Sequence, residues 1–320
     1  MTTPSRDVIN RQDVLALFAS QRWVASVDQL LELPVSRSTI DRSCRAGVIV
    51  RILPGVVMVA GAEDTFVARA MALQLAVGPD SYISGVSAGV LYGLRNMPRR
   101  RIEITAPHGR AVVMPPWGRL EHTVWVHADR FTVVRPDGLR VSSPLMTLFR
   151  MARTFNDHRF ERAAEDFWHK QLLTPEEADE FLGAVRGSGR GGVLRFERWL
   201  QRCDGRERPS QSGLELDVVE AIRRAGLPEP QRQHPLTLRS GELIHVDLAW
   251  PEVRLGVEPG HTWWHGGDLR VRADEARDRA CDEIGWRIVR NEESLRNDLP
   301  GFGLQLRIIY DERRRSLRPA

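Results

Sequence analysis

Two carboxylates in the stretch HVDLAWPEVRLGVEPG carry the most definite chemistry of this 320-residue chain. Ile244, Val246, Leu248 and Trp250 alternate with His245, Asp247 and Ala249, the period of a half-buried strand, which turns Asp247 away from the apolar side. Beyond a tight turn at Pro251-Glu252, Leu255 and Val257 alternate with Arg254, Gly256 and Glu258, so folding the strands together brings Asp247 and Glu258 onto one polar face. Neighbouring carboxylates repel unless a cation lies between them, and a hard ion such as Mg²⁺ is their natural ligand. Such an ion activates water and stabilises charge on a phosphodiester. The same residues also fit a charged sheet edge that discourages aggregation. His234, His245, His261 and His265 cluster in this region; the spacing of His261 and His265 suits zinc on a helix, but their glycine-flanked context reads as a loop. Trp263 and Trp264 read as packing residues, with base stacking as the alternative.

A second chemistry is cationic. In RSTIDRSCR, Arg37, Asp41 and Arg45 recur at four-residue steps with Ser38 and Arg42 beside them, so a helix there carries a polar, cationic face opposite Ile40 and Cys44. The major groove accepts a helix whose N-terminal turns offer donors to base edges, and Arg51 on the adjoining strand is available to the phosphate backbone. The alternative is a solvated face on a small helical interaction module.

Several elements must position these residues. Val14, Leu15, Phe18 and Ala19 predict a helix over 11–21, and Ser26-Val-Asp-Gln29 reads as a capping box opening a second, short one. Ser36 caps a third, with Val35 and Ile40 at the staple positions and Gly47 where the helix stops. VIVRIL and VVMV flank a turn at Pro54-Gly55 as a hairpin, which completes the winged-helix order. A mixed region follows, with helices near 64–77 and 85–94, strands near 101–106 and 123–135, and later helices opening at Ser143-Pro144 and Thr174-Pro-Glu-Glu177. GSGRGG at 187–192 is a loop, and apolar-poor CDGRERPSQ at 203–211 marks a boundary. Beyond it come a helix at 213–225, strands near 232–238, 243–250 and 253–258, a helix at 268–284 and the strand WRIVR, in α-β-β-β-α-β order.

With 42% apolar residues the chain can fill two or three cores. Of its 46 basic residues all but Lys170 are arginine, which suits bidentate recognition of phosphates and guanine edges, although the net charge is only +4. Cys44, Cys203 and Cys281 are too scattered for a disulfide framework or a cysteine zinc site, and fit a reducing compartment. MTTPSRDVINRQD lacks an apolar signal core, and Arg51 and Pro54 interrupt the most apolar later stretch, so the expectation is a cytoplasmic protein with no membrane partner.

The segment Val14–Gly61, above all VSRSTIDRSCRAGVIVRILPGVV, resembles the N-terminal winged helix of the AbiEi antitoxin family. That resemblance implies double-stranded DNA as a partner, transcriptional autoregulation and a cognate toxin, with Arg37, Ser38, Asp41, Arg42, Arg45 and Arg51 at the DNA. ISGVSAGVLYGL and SSPLMTLFRMAR are similar to the middle part of longer relatives. From 212 to about 295 the chain resembles the very-short-patch-repair-like endonucleases, a branch of the PD-(D/E)xK superfamily. This implies Mg²⁺ on Glu215, Asp247 and Glu258, with Gln233 and His265 in supporting catalytic roles; Glu215 also suits a plain capping box with Ser212. Relatives continue from the strand glutamate through an apolar residue to Asp-Gly, whereas here the run is Glu258-Pro259-Gly260-His261, and glycine offers no side-chain ligand. The expectation is an α+β multidomain chain: a winged helix-turn-helix at 8–61, a mixed α/β middle region at 62–202 and a restriction-endonuclease-like domain at 208–316. Two functions stay open, a regulator whose nuclease-like domain is worn to a clamp and an active Mg²⁺-dependent endonuclease targeted by its winged helix.

Overall fold

Of the short helices near the start of the described chain, those that follow Ser26 and Ser36 are closed by side-chain caps, each where a polar residue precedes an apolar stripe. The computed structural model describes residues 11–109, 112–123, 131–186, 191–204, 206, 209, 213–259, 268–291 and 298–317. Contacts divide the chain into two compact units, Met1–Leu200 and Gln201–Ala320. Both mix helices with sheet, and no helix among the described residues is long and apolar enough to cross a membrane.

The first unit begins with α1 (Gln12–Ser20), β1 (Val24–Ser26), α2 (Val27–Glu32), α3 (Arg37–Arg45), β2 (Ile49–Leu53) and β3 (Val56–Val59). Ser26 and Gln29 form the expected capping box of α2, and Ser36 caps α3 by accepting from the Thr39 amide. Gly47 follows α3 at φ 68°, a left-handed conformation that costs glycine little. Val14, Phe18, Leu30, Val35, Ile40, Ile49 and Val57 meet in one core. The sheet order is β1-β3-β2; β1 was not expected from the sequence, where its three residues give no alternation to read.

The same unit continues with α4 (Phe66–Val77), β4 (Tyr82–Ile83), α5 (Gly85–Leu91), β5 (Ile102–Pro107), β6 (Gly118–Thr123), β7 (Thr132–Val134) and β8 (Arg140–Ser142), whose strands form a sheet in the order β6-β5-β4-β8-β7. Ile83, Ile102, Ile104 and Val141 bury one side of it with α4, and Val24, Val56 and Met58 share that core. Four helices follow: α6 (Pro144–Thr154), α7 (Asp157–His169), α8 (Pro175–Val185) and α9 (Val193–Cys203), the last running past Leu200, where the first unit ends. The caps read at Ser143 and Thr174 both form, the latter as a capping box with Glu177.

The second unit contains α10 (Gly213–Arg224), β9 (Gln231–Thr237), β10 (Leu243–Trp250), a 3₁₀ turn at Pro251–Val253, β11 (Leu255–Pro259), α11 (Asp268–Glu283), β12 (Arg287–Asn291) and α12 (Leu299–Ser316). Its sheet runs β12-β11-β10-β9, antiparallel except for the parallel β11/β12 pair. Arg254, expected inside a strand, instead turns the chain at φ 50°. The sequence reading stopped at β12, and α12 extends the order. Phe302, Leu306, Ile309 and Tyr310 lay its apolar stripe into a core with Val218, Val219 and Ile222 of α10. At Gly303 a Cβ would fall 2.6 Å from the Ala221 carbonyl oxygen, so the two helices approach through a position only glycine fits.

Candidate functional site

On α3 the buried stripe is Ile40 and Ser43, while Cys44, expected beside Ile40, is only half-buried. The helix is rotated slightly from the simplest sequence reading, yet Arg37, Ser38, Asp41, Arg42 and Arg45 are all exposed. Ser38 Oγ lies 2.8 Å from the Oγ of the capping Ser36. Arg51 Nη2 on β2 is 2.6 Å from Asp41 Oδ1, both side chains about half exposed, so this strand arginine and the one acid of the helix neutralise each other. Arg45 Nε donates to the Asp41 carbonyl oxygen at 3.3 Å. Among the described residues Arg37, Arg42 and Arg45 form no ion pair, which leaves three uncompensated guanidinium groups on the exposed side of one nine-residue helix.

The C-terminal carboxylates are placed differently from the expectation. Ile244, Val246 and Ala249 pack in a core with Cys281 and Trp286, whereas Leu248 and Trp250 pack with α10 and α12. Val246 and Leu248 therefore lie on opposite sides of the sheet, and the strict alternation that put Asp247 opposite both of them breaks at this point. The β9/β10 pairing passes from Val246↔His234 to Leu248↔Arg232 without pairing Asp247. Facing it, Gln233 adopts φ 52° and its Nε2 donates to Asp247 Oδ1 at 2.8 Å. The β10/β11 ladder runs from Trp250↔Leu255 to Leu248↔Val257, one step short of Asp247 and Glu258.

Glu258 follows the alternation of its own strand. Leu255 and Val257 face the core of α10 and α12, while a side chain at Gly256 would come within 2.7 Å of Val246 Cγ1 and of Ile288 Cδ1, on the opposite side. Glu258 shares that opposite side and is 6% exposed. Arg277 of α11 lies 3.0 Å from its Oε1, and Arg290 of β12 lies 3.1 Å from its Oε2. Arg290 also grips Asp278, with Nη2 at 2.8 Å from Oδ1 and Nε at 3.0 Å from Oδ2. Arg277 Nη2 further donates to the His245 carbonyl oxygen at 2.8 Å.

Glu215 is 2% exposed and lies three, four and seven residues before Val218, Val219 and Ile222, so it belongs to the helix stripe packed on the Leu255/Val257 side. Of the three carboxylates expected to share Mg²⁺, Glu215 and Glu258 thus approach the sheet from opposite sides, and Glu258 already lies against two arginines. Among the described residues no group of three or more histidine, cysteine, aspartate or glutamate side chains is placed to hold a metal ion. His265, His261 and Gly260 lie outside the described residues, as do Trp263, Trp264 and Ser212. His234 is stacked on Trp286 with ring centroids 5.4 Å apart, and burial holds its pKa below the ordinary imidazole value.

Sequence reasoning missed Arg277 and Arg290. A signal for Arg290 was present: it stands two residues after Ile288 and therefore shares that residue's face of the strand. Arg277 carried none, since a helical arginine among EARDRACDE reads as solvated.

No family model matches the chain. Two uncharacterized proteins of Mycobacterium tuberculosis, Rv2248 of strain H37Rv and MT2308 of strain CDC 1551, are each 26% identical to it over 255 residues, covering 80% of this chain and 89% of the relative. Among solved structures, the crystal structure of the RV2827C protein from Mycobacterium tuberculosis matches 59% of this chain and 75% of its own, with a TM-score of 0.41 and 17% identity.

Proposed function

We propose that the chain is a double-stranded-DNA-binding protein of the transcriptional-regulator kind, with α1 to β3 acting as a winged helix-turn-helix and α3 as its recognition helix. The observation that carries this reading is the α3 face, where Arg37, Arg42 and Arg45 stand exposed opposite buried Ile40 and, among the described residues, form no ion pair. Arginines without a protein counter-charge retain their full attraction for phosphates and their bidentate geometry for guanine. The order of three helices and a hairpin supports the reading, since it is the scaffold that presents such a helix to the major groove. In the second unit the order α10 to β12 supports a restriction-endonuclease-like fold, but hydrolysis there would require Glu258 to leave Arg277 and Arg290, so cleavage forms no part of the proposed activity.

The test is a fluorescence-anisotropy titration of labelled mixed-sequence duplex with the full chain and with an Arg37→Ala/Arg42→Ala/Arg45→Ala variant. Loss of phosphate contacts weakens binding and flattens its salt dependence by about 0.9 in log–log slope per contact. A base-reading arginine costs about 1–3 kcal/mol at its cognate sequence. A triple variant with an unchanged melting profile and unchanged affinity would sink the assignment.

A further inference from the structure

We propose that the Arg277 and Arg290 guanidinium groups occupy, at Glu258, the role the endonuclease-like fold would give a divalent cation, so that this carboxylate is a structural counter-ion and the unit binds no metal through it. Glu258 has a side chain only 7% exposed and two arginines at 3.0 and 3.1 Å, one on each carboxylate oxygen. A carboxylate withdrawn from water to that extent must be neutralised, and here the chain supplies the positive charge itself.

Among the described residues, two cations and two acids meet at this point. Arg277 and Arg290 stand against Glu258 and Asp278, and Arg290 is shared between the two acids. A divalent cation entering at Glu258 would face two guanidinium groups at contact distance, and in a partly dehydrated setting that repulsion far exceeds its surface value. Expelling the arginines is also unfavourable. Arg290 would give up a two-point grip on Asp278, and Arg277 its bond to the His245 carbonyl.

The ligand count points the same way. Hard cations depend on several oxygen donors converging on one point. Position 260, two residues beyond Glu258 on the same chain, is glycine and has no side-chain oxygen to add. Asp247 takes a hydrogen bond from Gln233, and Glu215 belongs to the helix on the other side of the sheet. What the network does instead is mechanical: it ties β11 to α11 through Arg277 and to β12 through Arg290, and Arg277 reaches on to β10.

Thermal melting and calorimetry of the full chain test this directly. The wild type should melt at the same temperature in EDTA and in millimolar Mg²⁺ or Mn²⁺, with no saturable heat of binding. Glu258→Gln should lower the melting temperature in EDTA, because two partly buried arginines lose a counter-charge. Arg277→Met, which leaves Glu258 under-compensated, should likewise lower the melting temperature in EDTA, and Mg²⁺ or Mn²⁺ should not restore it, because too few oxygen donors converge on Glu258. A saturable Mn²⁺ stabilisation of the wild type that Glu258→Gln abolishes would overturn the proposal without any variant having to fold better than its parent. A wild-type response that survives in Glu258→Gln places the ion elsewhere and leaves the clamp standing. These readouts involve no DNA, so their failure is distinct from failure of the α3 reading.

Discussion

Replacing Asp41 by Asn should tighten DNA binding, an outcome that a generic count of polar contacts would not anticipate. Asp41 is the one acid on a face that otherwise presents Arg37, Arg42 and Arg45, and its carboxylate holds Arg51 at 2.6 Å. With side chains 51% and 54% exposed, that pair is worth about 0–1 kcal/mol, so releasing it alters stability little. The gain is on the DNA side. The variant removes a charge that repels phosphate and frees Arg51 for the backbone, and one added phosphate contact steepens the log K against log salt slope by about 0.9. A net tightening of up to about 1 kcal/mol, about fivefold, is expected at low salt and should fade as salt rises. Anisotropy titrations across a salt series, with melting curves to confirm an intact fold, measure both quantities. If Asp41→Asn weakens binding at unchanged stability, Asp41 itself accepts a hydrogen bond from the DNA, as an acid does from a cytosine amino group, and the charge-balance reasoning for α3 is wrong.

Ile40→Ala should destabilise the first unit by about 2–5 kcal/mol in denaturant titrations, because the side chain is 1% exposed in the core beneath the arginine face. DNA binding should fall in parallel, and a folded, tightly binding variant would argue against that core as the support of α3. Gly303→Val should destabilise the second unit by at least about 1–3 kcal/mol, since even a Cβ there falls 2.6 Å from the Ala221 carbonyl oxygen. A variant as stable as the wild type would show that α10 and α12 can separate freely. His234 has a folded-state pKa lowered by burial, so as pH falls below the ordinary value of 6.5 the unfolded chain takes up the proton first and stability declines. His234→Phe should remove that part of the acid dependence while keeping the stack on Trp286; an unchanged stability–pH profile would refute it.

Helix starts were the most legible part of the fold, because a cap is a local chemical pattern. Ser26 with Gln29, Ser36, Ser143 with Pro144, and Thr174 with Glu177 all act where their spacing placed them. Elements defined by pairing rather than by period were not legible: β1, β4 and β8 are two or three residues long and exist through their partners. The last helix escaped for a different reason. Proline and glycine ordinarily end helices, yet here Pro300 lies in the first turn, the Gly301 amide donates to the capping Asp298 and Gly303 permits close packing. At the carboxylates, alternation held on either side of Asp247 and failed at it. A period carries no information about where a strand will twist its faces over, and Gln233 at φ 52° on the neighbouring strand was not foreseeable from its type.

Charge shows the same division between what composition states and what placement decides. A net charge of +4 on 320 residues is too thin to argue for nucleic acid, and an arginine-rich composition is consistent with many surfaces. The distinction lies in who stands beside each guanidinium. Arg277 and Arg290 are spent on Glu258 and Asp278, and Arg51 on Asp41. On α3 three arginines stand without such partners among the described residues, on a capped helix whose other side is buried at Ile40 and Ser43. The proposed attraction for a polyanion rests on that uncompensated charge, which is why removing an acid from α3 is expected to strengthen binding, whereas removing an acid from the second unit is expected only to loosen a fold.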